Sequence, residues 1–167
     1  MVIEKELYGV IRKKLIEKFV GKFDDFYLAI TSEGKFPEKI LSRVPQDEDI
    51  IFSFLKKKNS PDLTGFVKLV KNQWVTFQFI TVEIKNSTII LEDIYQAKRY
   101  ADLFRAKYGF LITTKPIPTI IKRLCKRISI LYIAGTAYEK LKLAQFDIDI
   151  GEIVEKSWFP KSPFDTD

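Results

Sequence analysis

Apolar residues recur at three- and four-residue spacing through Ile3, Leu7, Val10, Ile11 and Leu15, which predicts a helix over residues 2–20 that Gly21 stops. Lys14 and Lys18 interrupt the apolar face of its second half. Between residues 22 and 60 the pattern is weaker. Phe26–Ile30 fits a strand, and Asp47 is placed to cap a short helix carrying Ile50, Ile51, Phe54 and Leu55 before the run Lys56-Lys57-Lys58-Asn59. From Pro61 onward, Leu63–Val70 and Trp74–Lys85 are rich in β-branched and aromatic residues around Asn72-Gln73, the signature of a β-hairpin. Ile90, Ile94, Ala97, Ala101, Phe104 and Tyr108 then trace one helical stripe over residues 88–108, with Gly109 as its stop. Phe110–Thr113 reads as a buried strand and Pro118–Arg127 as a helix with Ile120, Ile121, Leu124 and Cys125 inward. Ile130–Ala134 reads as a further strand and Tyr138–Gln145 as a further helix. Strand, helix, strand over residues 110–134 implies a right-handed parallel crossover, and with the hairpin this predicts an α/β fold. The expected order is α-β-β-β-α-β, a mixed β-sheet core flanked by helices, in a single domain spanning residues 1–167 with an irregular tail from about 157 to 167.

Composition narrows the chemistry. The 167 residues are 46% hydrophobic and 30% charged, enough for a core and too apolar for disorder. The longest uninterrupted apolar run, Ile130–Ala134, is far too short to span a bilayer, and the charged first six residues do not resemble a signal peptide. One cysteine, Cys125, makes no internal disulfide and points to a reducing, intracellular setting such as the cytoplasm. Histidine is absent, which excludes a histidine base, histidine-ligated zinc and the Ser-His-Asp and Cys-His systems. A formal charge of +6 favours a polyanionic partner. Frequent Lys, Glu, Ile and Phe with little Met or Cys is thermophile-like in composition.

The hairpin register brings the candidate chemistry together. With Asn72 and Gln73 in the turn, cross-strand partners sum to 145, so Asp62 falls opposite Glu83. Residues directly opposed in an antiparallel pair share a face with Cβ atoms about 4.5–5.5 Å apart. Lys85, two residues beyond Glu83, lies on that face too. Two carboxylates this close repel unless a cation neutralises them, and hard divalent cations prefer oxygen ligands. A solvated salt-bridge ladder is the competing explanation.

Pro61-Asp62 followed by Glu83-Ile84-Lys85 resembles the signature of the PD-(D/E)XK nuclease superfamily, whose fold is restriction-endonuclease-like. Gln96-Ala97-Lys98-Arg99-Tyr100 is similar to the Q-x-x-x-Y motif of RecB-type members. The resemblance covers roughly residues 1–134. It implies hydrolysis of DNA phosphodiester bonds, in repair, recombination or mobile-element processing. It further implies Mg²⁺ or Mn²⁺ held by Asp62, Glu83 and the Ile84 carbonyl, with Lys85 orienting water or stabilising the transition state. Gln96 and Tyr100 would reach the metal site or a phosphate. Many superfamily members add a glutamate from the first helix, and Glu4 lies closer than Glu6 to the centre of the Leu7 face. Lys56, Lys57, Lys58, Lys98, Arg99, Lys122, Arg123, Lys126 and Arg127 are candidates for DNA phosphate contacts. A homodimer is expected, anchored by Trp158, Phe159 and Phe164. The rival functions are a non-catalytic nucleic-acid-binding protein on the same fold and an interaction protein working through the tail.

Overall fold

The computed structural model describes residues 2–44, 48–55 and 59–164. Along the chain run α1 (Glu4–Phe19), β1 (Asp25–Ile30), α2 (Glu38–Leu41), α3 (Glu48–Phe54), β2 (Leu63–Lys71), β3 (Trp74–Lys85), α4 (Leu91–Phe104), β4 (Tyr108–Thr113), α5 (Thr119–Ile128), β5 (Lys142–Asp147) and β6 (Glu152–Ile153). The described residues form an α/β structure with a six-stranded mixed sheet in the order β1-β2-β3-β4-β5-β6. The β1–β2, β2–β3 and β5–β6 pairs are antiparallel, while β3–β4 and β4–β5 are parallel. None of the described helices is long and apolar enough to cross a membrane.

Alternation along the central strands splits the core in two. Leu63 and Val67 of β2 and Ile80, Val82 and Ile84 of β3 pack with Leu7, Ile11, Leu15 and Phe19 of α1. Phe66 of β2, Phe79 of β3 and Leu111 of β4 pack on the opposite side with Ile94, Ala97, Ala101 and Phe104 of α4. Each aliphatic or aromatic side chain buried in this way contributes about 1.5–3 kcal/mol relative to exposure. The β2–β3 turn has both central residues in the left-handed region, Asn72 at φ 50° and Gln73 at φ 71°. That is a type I′ turn, whose twist matches the strands it joins and fixes their register. Pairing runs from Lys71↔Trp74 to Leu63↔Val82, so partners sum to 145 as the sequence predicts.

At the sheet's edge β1 lies close on β2. A Cβ built at Gly65 would stand 1.9 Å from the Tyr27 carbonyl oxygen and 2.8 Å from Leu28 Cα, so only glycine fits. Gly65→Ala is expected to destabilise by about 2 kcal/mol or more, read as the midpoint shift in urea unfolding. Arg12 Nε donates to the Leu28 carbonyl at 2.6 Å, tying α1 to the same strand.

Several elements differ from the sequence pattern. The fourth helix ends at Phe104 because Arg105 turns left-handed, φ 47°, and Ala106 N–H closes on the Ala101 carbonyl. Tyr108 and Gly109 therefore belong to β4 rather than to a helix end. Residues 130–134 are not a strand; Tyr132 makes one isolated bridge to Lys140. Residues 138–145 are not a helix, since β5 begins at Lys142. The parallel crossover is present but runs from β4 through α5 to β5. In α5, Ile120 is 66% exposed while Ile121 and Cys125 are buried, and in α1 Val10 is exposed while Tyr8 turns inward. The proposed cap Asp47 lies outside the described residues.

Candidate active site

The end of the hairpin opposite its turn builds the site. Thr31, just past β1, donates its N–H to the Asp62 carbonyl at 2.9 Å and its hydroxyl to the Pro61 carbonyl at 2.7 Å. The Thr31 and Thr64 hydroxyls lie 2.8 Å apart, so the Pro61-Asp62 corner is held from two strands. Asp62 Oδ2 accepts the Ile84 N–H at 2.7 Å. N–H and C=O of one strand residue point to the same side, so the Ile84 carbonyl also faces the Asp62 side, beyond the last Leu63↔Val82 pair.

Asp62 and Glu83 are only 6% and 4% exposed. Glu83 Oε1 lies 3.2 Å from Lys85 Nζ, whereas Glu83 Oε2 is buried with no hydrogen-bond partner. Burial, followed by the facing Asp62 charge, pushes the Glu83 carboxyl up to about 8. Burial also raises Asp62, to about 6, against the opposing bond from Ile84. The pair therefore retains a proton near neutrality unless a cation replaces it.

Lys85 Nζ donates to Gln96 Oε1 at 3.3 Å and lies 3.6 Å from Asp93 Oδ1. Burial disfavours its charge, but the carboxylates of Glu83, Asp93 and Glu4 outweigh this and hold the ammonium more firmly protonated than usual. Glu4 Oε2 accepts the Asn86 N–H at 3.3 Å, and Glu4 Oε1 accepts the Tyr8 hydroxyl at 3.4 Å. Glu6 instead bonds the Ile3 N–H at 3.0 Å and stabilises the start of α1. A cleft of about 280 Å³ gathers Glu4, Tyr8, Asp62, Glu83, Lys85 and Gln96.

These groups fit a hard divalent cation. An orphaned buried carboxylate oxygen, a second carboxylate beside it and a main-chain oxygen on the same side form an all-oxygen donor set. Among the described residues, no three carboxylate or thiol groups converge tightly enough to hold an ion unaided. Asp62, Glu83 and the Ile84 carbonyl would hold it, with water completing the shell.

Other candidates fall differently. Tyr100 is 1% exposed and does not enter the cleft. Its hydroxyl accepts from Gln96 Nε2 at 3.4 Å, so it supports Gln96 from behind rather than reaching a metal or phosphate itself. Lys98 donates to the Asp102 carboxylate, at 2.8 and 2.9 Å, and to the Tyr132 carbonyl at 2.6 Å. Arg99 remains exposed, donating to Asn59 Oδ1 at 2.7 Å over the Tyr100 ring. Arg123, Lys126 and Arg127 are exposed on α5, and the ammonium groups of Lys122 and Lys126 lie 6.0 and 5.9 Å from the Phe159 ring centroid. Lys56, Lys57 and Lys58 lie outside the described residues.

The proposed dimer anchors are used within the chain. Trp158 and Phe159 are buried, and Phe164 packs edge-on against Phe19 and Trp158. Tyr8 is the cleft residue that the sequence pattern did not single out. It is buried beside Asp62 and Glu4, and burial and the Asp62 charge raise its phenol well above the usual value. Its signal is the i,i+4 spacing from Glu4, which puts both on one helix face. No family model matches the chain, nor does any curated protein or solved structure.

Proposed function

We propose that this chain is a metal-dependent nuclease that hydrolyses DNA phosphodiester bonds, on a restriction-endonuclease-like fold of the PD-(D/E)XK type. The observation that carries this reading is the buried Asp62–Glu83 pair with an unpartnered Glu83 oxygen beside the Lys85 ammonium. When bound, Mg²⁺ or Mn²⁺ would supply Lewis-acid chemistry, acidifying water and offsetting charge on the phosphate. Asp62 and Glu83 would hold the cation, and their mutual repulsion would be relieved by it. Lys85 places a positive charge where a phosphate oxygen gains negative charge, and Gln96 fixes its direction. Tyr8 and Asn86 orient the Glu4 carboxylate towards the same cleft. Arg99 and the exposed cations of α5 are suited to sequence-independent phosphate contact.

The test is incubation of plasmid and single-stranded DNA with purified protein in Mg²⁺, in Mn²⁺ and in chelator. Cleavage confined to the metal-containing reactions is the expected result. Salt-sensitive DNA binding without cleavage in either metal would replace this reading with the non-catalytic one.

A further inference from the structure

The Lys85 ammonium has three neighbours, and only two of them belong to the cleft. Its Nζ lies 3.2 Å from Glu83 Oε1 and 3.3 Å from Gln96 Oε1, both in the cleft wall. The third, Asp93 Oδ1 at 3.6 Å, is set back behind that wall. The Lys85 and Asp93 side chains are 18% and 16% exposed, so salt and water screen this pair less than a surface pair.

Asp93 is a fixed anion. It is the third residue of α4, and its Oδ2 accepts the Ile90 N–H at 2.9 Å, closing the start of the helix. The backbone thus locks one carboxylate oxygen and leaves the other towards Lys85. The unpaired amides of a first helical turn favour negative charge at this position. Gln96 follows three residues later on the same side of α4, so one helix offers a charge and an amide oxygen to the one ammonium.

Glu83 carries two demands at once. It is the carboxylate nearest Lys85, and its other oxygen is the orphaned one that suits a cation. Once Glu83 shares its charge with a cation, the ammonium loses its nearest counter-charge, and a lysine head on a four-carbon stem is free to wander. Asp93 Oδ1 is close enough to receive it after a small rotation of that stem. Bonded to Ile90 and set back from the cleft, Asp93 stays with the ammonium rather than joining the ligands.

We propose that Asp93 is a positioning residue for Lys85: it receives the ammonium as Glu83 engages the cation, freeing Glu83 to ligate and keeping the positive charge at the cleft. This rests on the cation reading of the Asp62–Glu83 pair.

Calorimetric titration with Mg²⁺ of the unaltered chain, Asp93→Asn, Lys85→Met and the double variant tests this. The asparagine amide oxygen still accepts the Ile90 N–H, so the helix start is kept and only the charge is lost. Asp93→Gln, whose amide also suits this helix position, is the second variant. Without Asp93 the ammonium stays on Glu83 and competes with Mg²⁺, so binding is expected to weaken about tenfold. In the Lys85→Met background the competitor is gone, and the same change is expected to shift Mg²⁺ affinity by less than about twofold. At saturating Mg²⁺, Asp93→Asn should lower kcat for DNA cleavage about tenfold with KM nearly unchanged. An equal loss of Mg²⁺ affinity in both backgrounds is a bare effect of the charge on the metal and overturns the proposal, as does unchanged affinity in both Asp93→Asn and Asp93→Gln. Absence of Mg²⁺ binding to the unaltered chain overturns the cation reading itself, and the proposal with it.

Discussion

Asp62→Asn or Glu83→Gln is expected to lower Mg²⁺-dependent DNA cleavage by about a thousandfold or more while leaving DNA binding intact or stronger. Each substitution removes one anionic ligand from a pair whose only close ammonium, among the described residues, is Lys85. Losing several kcal/mol of metal-derived stabilisation corresponds to three or more decades in rate, at about 1.4 kcal/mol per decade. Binding persists because removing a carboxylate also removes repulsion against phosphate. Initial rates and filter-binding constants for both variants measure the split, and full activity in both would dismiss the assignment of this cleft.

Stability of the metal-free chain is expected to fall as pH rises from about 5 to 8, and Mg²⁺ is expected to restore it. Both carboxyl groups are raised by burial above their unfolded values, Asp62 to about 6 and Glu83 to about 8. The folded state therefore keeps protons that the unfolded chain releases. The pair's contribution is greatest below the unfolded carboxylate range and declines until the folded pair is fully ionised. One extra retained proton over two pH units corresponds to roughly 3 kcal/mol. The window is clean because the sequence has no histidine to titrate within it. A cation binds only the ionised native pair and opposes the decline. Melting curves in chelator and in Mg²⁺ across this range provide the measurement. A flat profile in chelator contradicts the raised values, and Glu83→Gln should remove most of the slope.

The hairpin was legible because its signal is doubly local. Enrichment in β-branched and aromatic residues marks the two strands, and the two turn residues set a register that carries to Asp62 and Glu83. Gln96 was singled out by its likeness to the Q-x-x-x-Y motif, not by the register, and the structure sets it 3.3 Å from Lys85. The C-terminal half was not legible for a physical reason. In β5, Leu143 packs on one core while Ala144 and Phe146 pack on the other. A strand buried on both faces shows no polar alternation and cannot be told from a buried helix. Arg105 gave no stop signal, because left-handed helix ends usually carry glycine, and Tyr108 fell on the helical stripe by spacing alone. The tail aromatics read from the sequence as dimer anchors, yet Trp158 returns to the sheet and packs on Phe110. Such long-range docking leaves no mark in local periodicity.

The bond from Arg12 to the Leu28 carbonyl bears on how the protein behaves when crowded. Thr31 bonds inward to Asp62, and strand residues alternate, so the Leu28 carbonyl points away from β2 at the open margin of the sheet. Open margins invite a neighbour's backbone to add itself as another strand, the first step towards fibrous association. Here the central acceptor of the margin is already taken by a charged donor 2.6 Å away. An incoming chain would have to break that bond and strand a guanidinium to extend the sheet, so polymerisation through this side is disfavoured at its first contact.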